Sequence, residues 1–197
     1  MQSGGAELNL GCPGGRRGGA APAPAWWAAP VPGATVDQLD AAERCETLLQ
    51  GTLDALRPTP VWQDAAPRSG SRLPLPGRGS EVLWYVTRGR DLLTVVSQAR
   101  RAELVGAVER HWRRSGWTIT SVNACRDRPG VAAGTPDGYQ LVLNVGEFGE
   151  IGLVADSPGV ARSERLGAER PILSRGEGGI GPAPLPYVHC PYWSALI

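Results

Sequence analysis

The side chains able to do chemistry are few and scattered. The four cysteines, Cys12, Cys45, Cys125 and Cys190, stand far apart, with no C-x-x-C pair. They allow three disulfide pairings, and a chain with reduced, inert thiols is equally allowed. The two histidines are His111 and His189. His189 adjoins Cys190, too close for the usual tetrahedral pair of ligands, and no second ligand cluster accompanies it. A Cys–His nucleophile would have to come from Cys125 with His111 or from Cys190 with His189, combinations that any chain of this composition offers. No G-x-S-x-G nucleophile elbow occurs. Glu147 and Glu150 flank a predicted hairpin tip, where water solvates carboxylates without tuning them for acid catalysis. The run Gly176-Glu177-Gly178-Gly179-Ile180-Gly181 matches G-x-G-x-x-G. A dinucleotide site needs a helix directly after those glycines, and Pro182 and Pro184 forbid it. The residues therefore nominate no catalytic group, no metal-ligand set and no cofactor.

One contact surface does stand out. Arg100, Arg101, Arg110, Arg113 and Arg114 fall on a single predicted helix against only Glu103 and Glu109. Such a face suits anionic lipid headgroups or an acidic cell-wall polymer. The competing reading is a solvated helix face. All 20 basic residues are arginine, which codon usage in a GC-rich genome produces without any selection for guanidinium chemistry. The net charge is +1, so the chain as a whole attracts neither nucleic acid nor anionic membrane. The expectation is a monomer that binds no nucleic acid, with anionic lipid or cell-wall polymer as the candidate partner.

The elements that position these residues follow from periodicity. Residues 36–56 read as a helix, with Thr35 and Gln38 as a capping box. Leu39, Ala42, Cys45, Leu49, Leu53 and Leu56 form its apolar stripe, and Pro58 stops it. Residues 57–80 hold five prolines and read as loop, with Pro60-Val61-Trp62 as a short extended segment that docks on the domain. Residues 81–87 are rich in β-formers. Arg88-Gly89-Arg90 reads as a turn and 92–96 as a second strand, so that 81–96 is a hairpin. Ser97 is the predicted N-cap of a helix over 98–115, with Leu104, Val105, Val108 and Trp112 on its apolar face. Gly116 is its left-handed stop. Turn-linked strands follow. The first, 117–123, sets Trp117, Ile119 and Ser121 on one face against Thr118, Thr120 and Val122. Thr135-Pro136-Asp137-Gly138 is a turn, with proline second and glycine fourth. It joins Val131-Ala132-Ala133 to 139–145, and a loop over 146–149 returns the chain as 151–155.

This order specifies an α+β fold. The expected architecture is a two-layer sandwich: an antiparallel sheet of about 4–6 strands with two helices on one face and disordered termini. Glycine and proline make up 27 and 18 of the 197 residues and concentrate near the ends. The folded unit is accordingly expected over 35–160. Residues 1–34, which include Trp26 and Trp27, are expected to be disordered because they cannot bury enough apolar surface. Residues 161–197 are expected to form an irregular tail, whose aromatic end over 186–197 has no assigned place.

Several runs carry a resemblance. They are Val96-Ser97-Gln98-Ala99-Arg100-Arg101, then 108–117 (VERHWRRSGW), Ile119-Thr120-Ser121-Val122-Asn123 and Thr135-Pro136-Asp137-Gly138-Tyr139, with Arg44-Cys45-Glu46 upstream. Together they resemble actinomycete secreted proteins and lipoproteins of no assigned activity, over about residues 36–160. The chain departs from that pattern at Gly159, where a closing cysteine is expected, and at its start. Leu10-Gly11-Cys12 is preceded by no apolar leader. The resemblance implies an α+β domain in the cell envelope or outside the cell, its export signal lying upstream of a misassigned start codon, and it implies no catalytic residue. The functional expectation is an envelope-associated or secreted domain without a catalytic site. The alternative is a ligand- or partner-binding module that uses the sheet face or the arginine-rich helix.

Overall fold

A computed structural model describes residues 36–72, 82–164 and 184–196. Cys12, the tryptophan pair, the expected disorder of 1–34 and the glycine-rich match at 176–181 lie outside the described residues.

The first helix, α1, spans Gln38–Asp54. Its cap is Asp37 and not the expected Thr35–Gln38 box: the Asp37 carboxylate accepts from the backbone N–H groups of Leu39 and Asp40 at 2.8 and 3.1 Å. Gln38 is taken up by the tertiary structure instead, donating to the Tyr85 carbonyl and accepting from the Ser163 amide. The buried stripe is Ala41, Ala42, Cys45, Leu48, Leu49, Thr52 and Leu53. Leu39, expected on it, is only half-buried. The second helix, α2, spans Gln98–Arg114 and buries Leu104, Val105, Val108 and Trp112, as their spacing predicts. Ser97 stands at its N-cap with no side-chain cap bond. Gly116 closes it at φ +77°, where a side chain would be strained.

Seven strands form one antiparallel sheet in the order β1-β3-β7-β6-β5-β4, with β2 also on β3. They are β1 (Trp62–Asp64), β2 (Arg68–Arg72), β3 (Leu83–Leu92), β4 (Thr118–Asn123), β5 (Gly130–Gly134), β6 (Gln140–Val145) and β7 (Ile151–Asp156). The helix-on-sheet class is the expected one, and the sheet is wider than expected. The proline-rich stretch read as loop contributes β2 as well as β1. These two short strands pair with the N-terminal and C-terminal parts of β3 respectively.

The expected hairpin over 81–96 does not form. Arg88-Gly89-Arg90 runs straight through the middle of β3, each residue paired with β7. Period two places Val86, Arg88, Arg90 and Leu92 on the helix-covered face. There Arg90, only 7% exposed, is neutralised by Glu46 of α1 and by Asp64 at 2.8 Å, beneath the ring of Trp62. Charge compensation supplied by two distant segments keeps the arginine in a strand that its local sequence marks as a turn.

Both helices pack on that one face. α1 lies over β3 and β7, and α2 lies over β4, β5 and β6. Cross-strand rows of the core are Leu153, Leu143 and Val131, then Ala155, Leu141 and Ala133. The phase of β4 differs from the expected one. A bulge between Ile119 and Ser121 inserts Thr120, so that Ile119 pairs with Ala133 while Ser121 pairs with Ala132. One added residue turns Ser121 to the opposite face and brings Val122 onto the helix side.

The aromatic C-terminal segment, left without a place by its sequence, is part of the core. Trp193 is 2% exposed. Its indole donates to the Pro58 carbonyl, and its own carbonyl accepts from the Ser97 amide at 2.9 Å. Tyr187 and Val188 donate to the Leu93 carbonyl, and Val95 donates to that of Val188. The segment thus closes the region where β3 hands over to α2.

Candidate functional site

With the helices stacked on one side, the other face of β3, β7, β6, β5 and β4 is left open. Its rows follow from the register. One row is Asp91, Gly152, Asn144, Gly130 and Asn123, the next is Gly89, Val154, Val142, Ala132 and Ser121, and the third is Thr87, Asp156, Gln140, Gly134 and Thr118. The middle row is small and apolar, and its neighbours are mostly polar. Toward the β4 side this face dips into a shallow depression of about 420 Å³. Val142 and Ala132 lie on its floor. Ser121, Asn123, Asn144, Arg128 and Glu147 supply hydroxyl, amide and one charge of each sign around it.

The loop at one end of the depression is held firmly. The Asn123 amide donates to the Arg128 carbonyl at 2.7 Å, and its oxygen accepts from the Cys125 amide. The Gln98 side chain donates to the Asp127 carboxylate, and Arg101 donates to the Asp127 carbonyl. Cys125 is disulfide-bonded, to a partner outside the described residues. Rigid surroundings of this kind reduce what a ligand must spend on ordering the site.

The arginines of α2 have different partners. Arg100 pairs with Glu103 and lies 4.3 Å over the ring of Tyr192. Arg101 is spent on the Asp127 loop. Arg113 pairs with Glu109 at 2.8 Å, one turn back. Arg110, Arg113 and Arg114 are exposed on the last turns, where cations complement the partial negative charge at the helix end. Sequence spacing placed all five on one helix, but it did not show that Tyr192 and Asp127 would claim two of them. The Tyr192 hydroxyl also donates to Glu103, and that bond, with Arg100, holds the Glu103 carboxyl below its ordinary pKa.

The nucleophile candidates are not brought together. Cys125 is oxidised and precedes Asp127, which the first turn of α2 binds, whereas His111 is in the last turn, about 20 Å along the helix at 1.5 Å per residue. His111 meets the edge of Trp117 at 6.0 Å. Burial, with Arg114 nearby, lowers its pKa. Cys190 packs toward the core while His189 is exposed, as neighbours in an extended segment alternate. Glu150 supports its own hairpin, accepting from the Phe148 amide at 2.9 Å. No group of His, Cys, Asp or Glu able to hold a metal ion occurs among the described residues.

Cys45 is fully buried under α1, and desolvation pushes its thiol up to about 12. At about pH 8 roughly one such thiol in ten thousand is ionised, and the thiolate is the reactive species. Native protein at that pH should therefore leave Cys45 unlabelled by iodoacetamide, and unfolding in guanidinium should expose it fully. Peptide mapping that finds Cys45 alkylated in the native state at the rate of a free thiol would contradict its place in the core.

No family model matches the chain, and no curated protein matches it. Among solved structures it is similar to a DUF4853 family protein from Actinomyces odontolyticus ATCC 17982. The TM-score is 0.42 at 14% sequence identity, with 81% of this chain and 82% of that chain covered. A likeness that loose carries no argument about activity.

Proposed function

We propose that this chain is a non-catalytic domain that works in the cell envelope or outside the cell, and that it acts by contact through the open face of its sheet. The observation that carries the reading is the depression over β4, β5 and β6. Its lining is a set of short hydrogen-bonding groups with one positive and one negative side chain, around a floor of small apolar residues. That chemistry suits a neutral, hydroxyl- and amide-bearing polymer such as a cell-wall glycan, whose sugar faces lie on apolar surface while their edges hydrogen-bond. It does not suit a densely anionic chain. The disulfide at Cys125 supports the compartment, because such bonds persist in oxidising surroundings.

The test is a titration of ¹⁵N-labelled protein with glycan fragments released from a bacterial cell wall by a muramidase. Amide shifts are expected at Ser121, Ala132, Val142 and Asn144, and Val142→Arg should weaken the binding at least about tenfold by filling the floor. The double variant Arg110→Glu/Arg114→Glu should leave it unchanged. Absence of shifts at millimolar fragment would defeat the proposal. Loss of binding only in the arginine variant would move the contact surface to α2 and to an anionic ligand.

A further inference from the structure

The two edges of the sheet are built differently. Along the outer side of β3 the chain lays down two short strands, β1 and β2, preceded by Pro60 and Pro67 respectively and carrying Asp64 and Arg68. Short strands, prolines and charges are how an edge avoids pairing with another chain. The opposite edge is β4, and it has none of these devices beyond its bulge. Residues 117–124 read Trp-Thr-Ile-Thr-Ser-Val-Asn-Ala, without charge or proline. Five of the six β4 residues are exposed. β4 pairs with β5 on one side, and its other side has no backbone partner among the described residues.

The core also runs out to this edge. Leu153, Leu143 and Val131 form one buried cross-strand row, and its next member is Val122, 51% exposed. The bulge at Thr120 is what puts Val122 in that row, and residues 121–123 beyond it pair regularly with β5. The end of β4 is fixed by the Asn123 bonds, so little order remains to be imposed on it.

We infer that the chain pairs with a second copy of itself through the outer edge of β4, antiparallel about a two-fold axis at Val122, as a reversible dimer with one continuous sheet. A strand that meets itself antiparallel must be compatible with its own reversed side chains. This one is, since with no charge in it no like charges oppose each other, and Val122 meets Val122 of the second copy while Ser121 of each copy lies opposite Asn123 of the other. The contact is a single short strand, well below the roughly 1,200 Å² of a stable interface, so the dimer is weak.

Sedimentation equilibrium from about 5 µM to about 1 mM tests this. The wild-type chain should pass reversibly from monomer to dimer across that range. Val122→Lys should remain monomeric throughout, because two lysines would face each other across the axis, and Val122→Thr should still dimerise. Circular dichroism and melting at the lowest concentration should match the wild type for both variants, since residue 122 is half exposed. A wild-type chain that stays monomeric at 1 mM, or a dimer that survives Val122→Lys, overturns the inference.

Discussion

Replacing Trp112 with alanine should lower the free energy of unfolding by about 3–5 kcal/mol. Trp112 has no exposure at all. It enters the core from α2, and its indole donates to the Thr52 hydroxyl of α1 at 3.0 Å. That hydroxyl in turn donates to the Leu48 carbonyl. Trp117 leans on the ring from the start of the following strand, with centroids 6.1 Å apart. Alanine would leave a cavity between the two helices and β4, and would strip Thr52 of a buried donor. Trp112→Phe separates the two effects. It keeps most of the volume and should cost less, about 1–2 kcal/mol, for the lost bond and the imperfect fit. Denaturant titration of the three proteins measures both differences. A loss below about 0.5 kcal/mol for the alanine variant would mean that α2 does not present this face to the core.

Trp193→Ala should be nearly as damaging, again about 3–5 kcal/mol, although the residue lies only four positions from the last one. Its ring is 2% exposed, meets Tyr192 edge-on at 4.9 Å and donates to the Pro58 carbonyl. The backbone around it holds Ser97 and Val95, so its loss should also release the segment over 184–196. Hydrogen exchange would then speed up at the amides of Val95 and Ser97 as well as in the segment itself. Unchanged stability and unchanged exchange at Ser97 would show that the C-terminal segment is an appendage, and the domain would then end near residue 160.

These two tryptophans mark what can be seen in a linear sequence. Trp112 was placed correctly by spacing, because the 3.6-residue period of a helix is a local property that survives in the order of residues. The same holds for the Gly116 stop, the Thr135 to Gly138 turn and the alternation of Leu141, Leu143 and Val145 in β6. Trp193 sits among prolines in a segment with no period. Its partners, Pro58 and Ser97, are 135 and 96 positions away, and nothing local points to them.

The candidate site divides along the same line. The sheet face was foreseen as a possible contact surface, but which side chains share it was not, because the Thr120 bulge reverses the phase of β4 and only pairing with β5 reveals it. The arginine helix was named as a candidate contact surface beside the reading of a solvated face, and its sequence did not show that Arg100 and Arg101 find partners in Tyr192 and in the Asp127 loop.

By itself the sequence determined the helix-on-sheet class, both helices and the strands whose alternation is clean, because propensity, capping and period act within a few residues. The tertiary structure alone decided that β3 runs unbroken through Arg88-Gly89-Arg90, that Gln38 is drawn from the α1 cap to Tyr85 and Ser163, that β4 changes face and that the C-terminal aromatics join the core. In each of these cases a local preference was weak or pointed the wrong way. A distant group prevailed by supplying burial, a counter-charge or a hydrogen bond that no neighbour in sequence could provide.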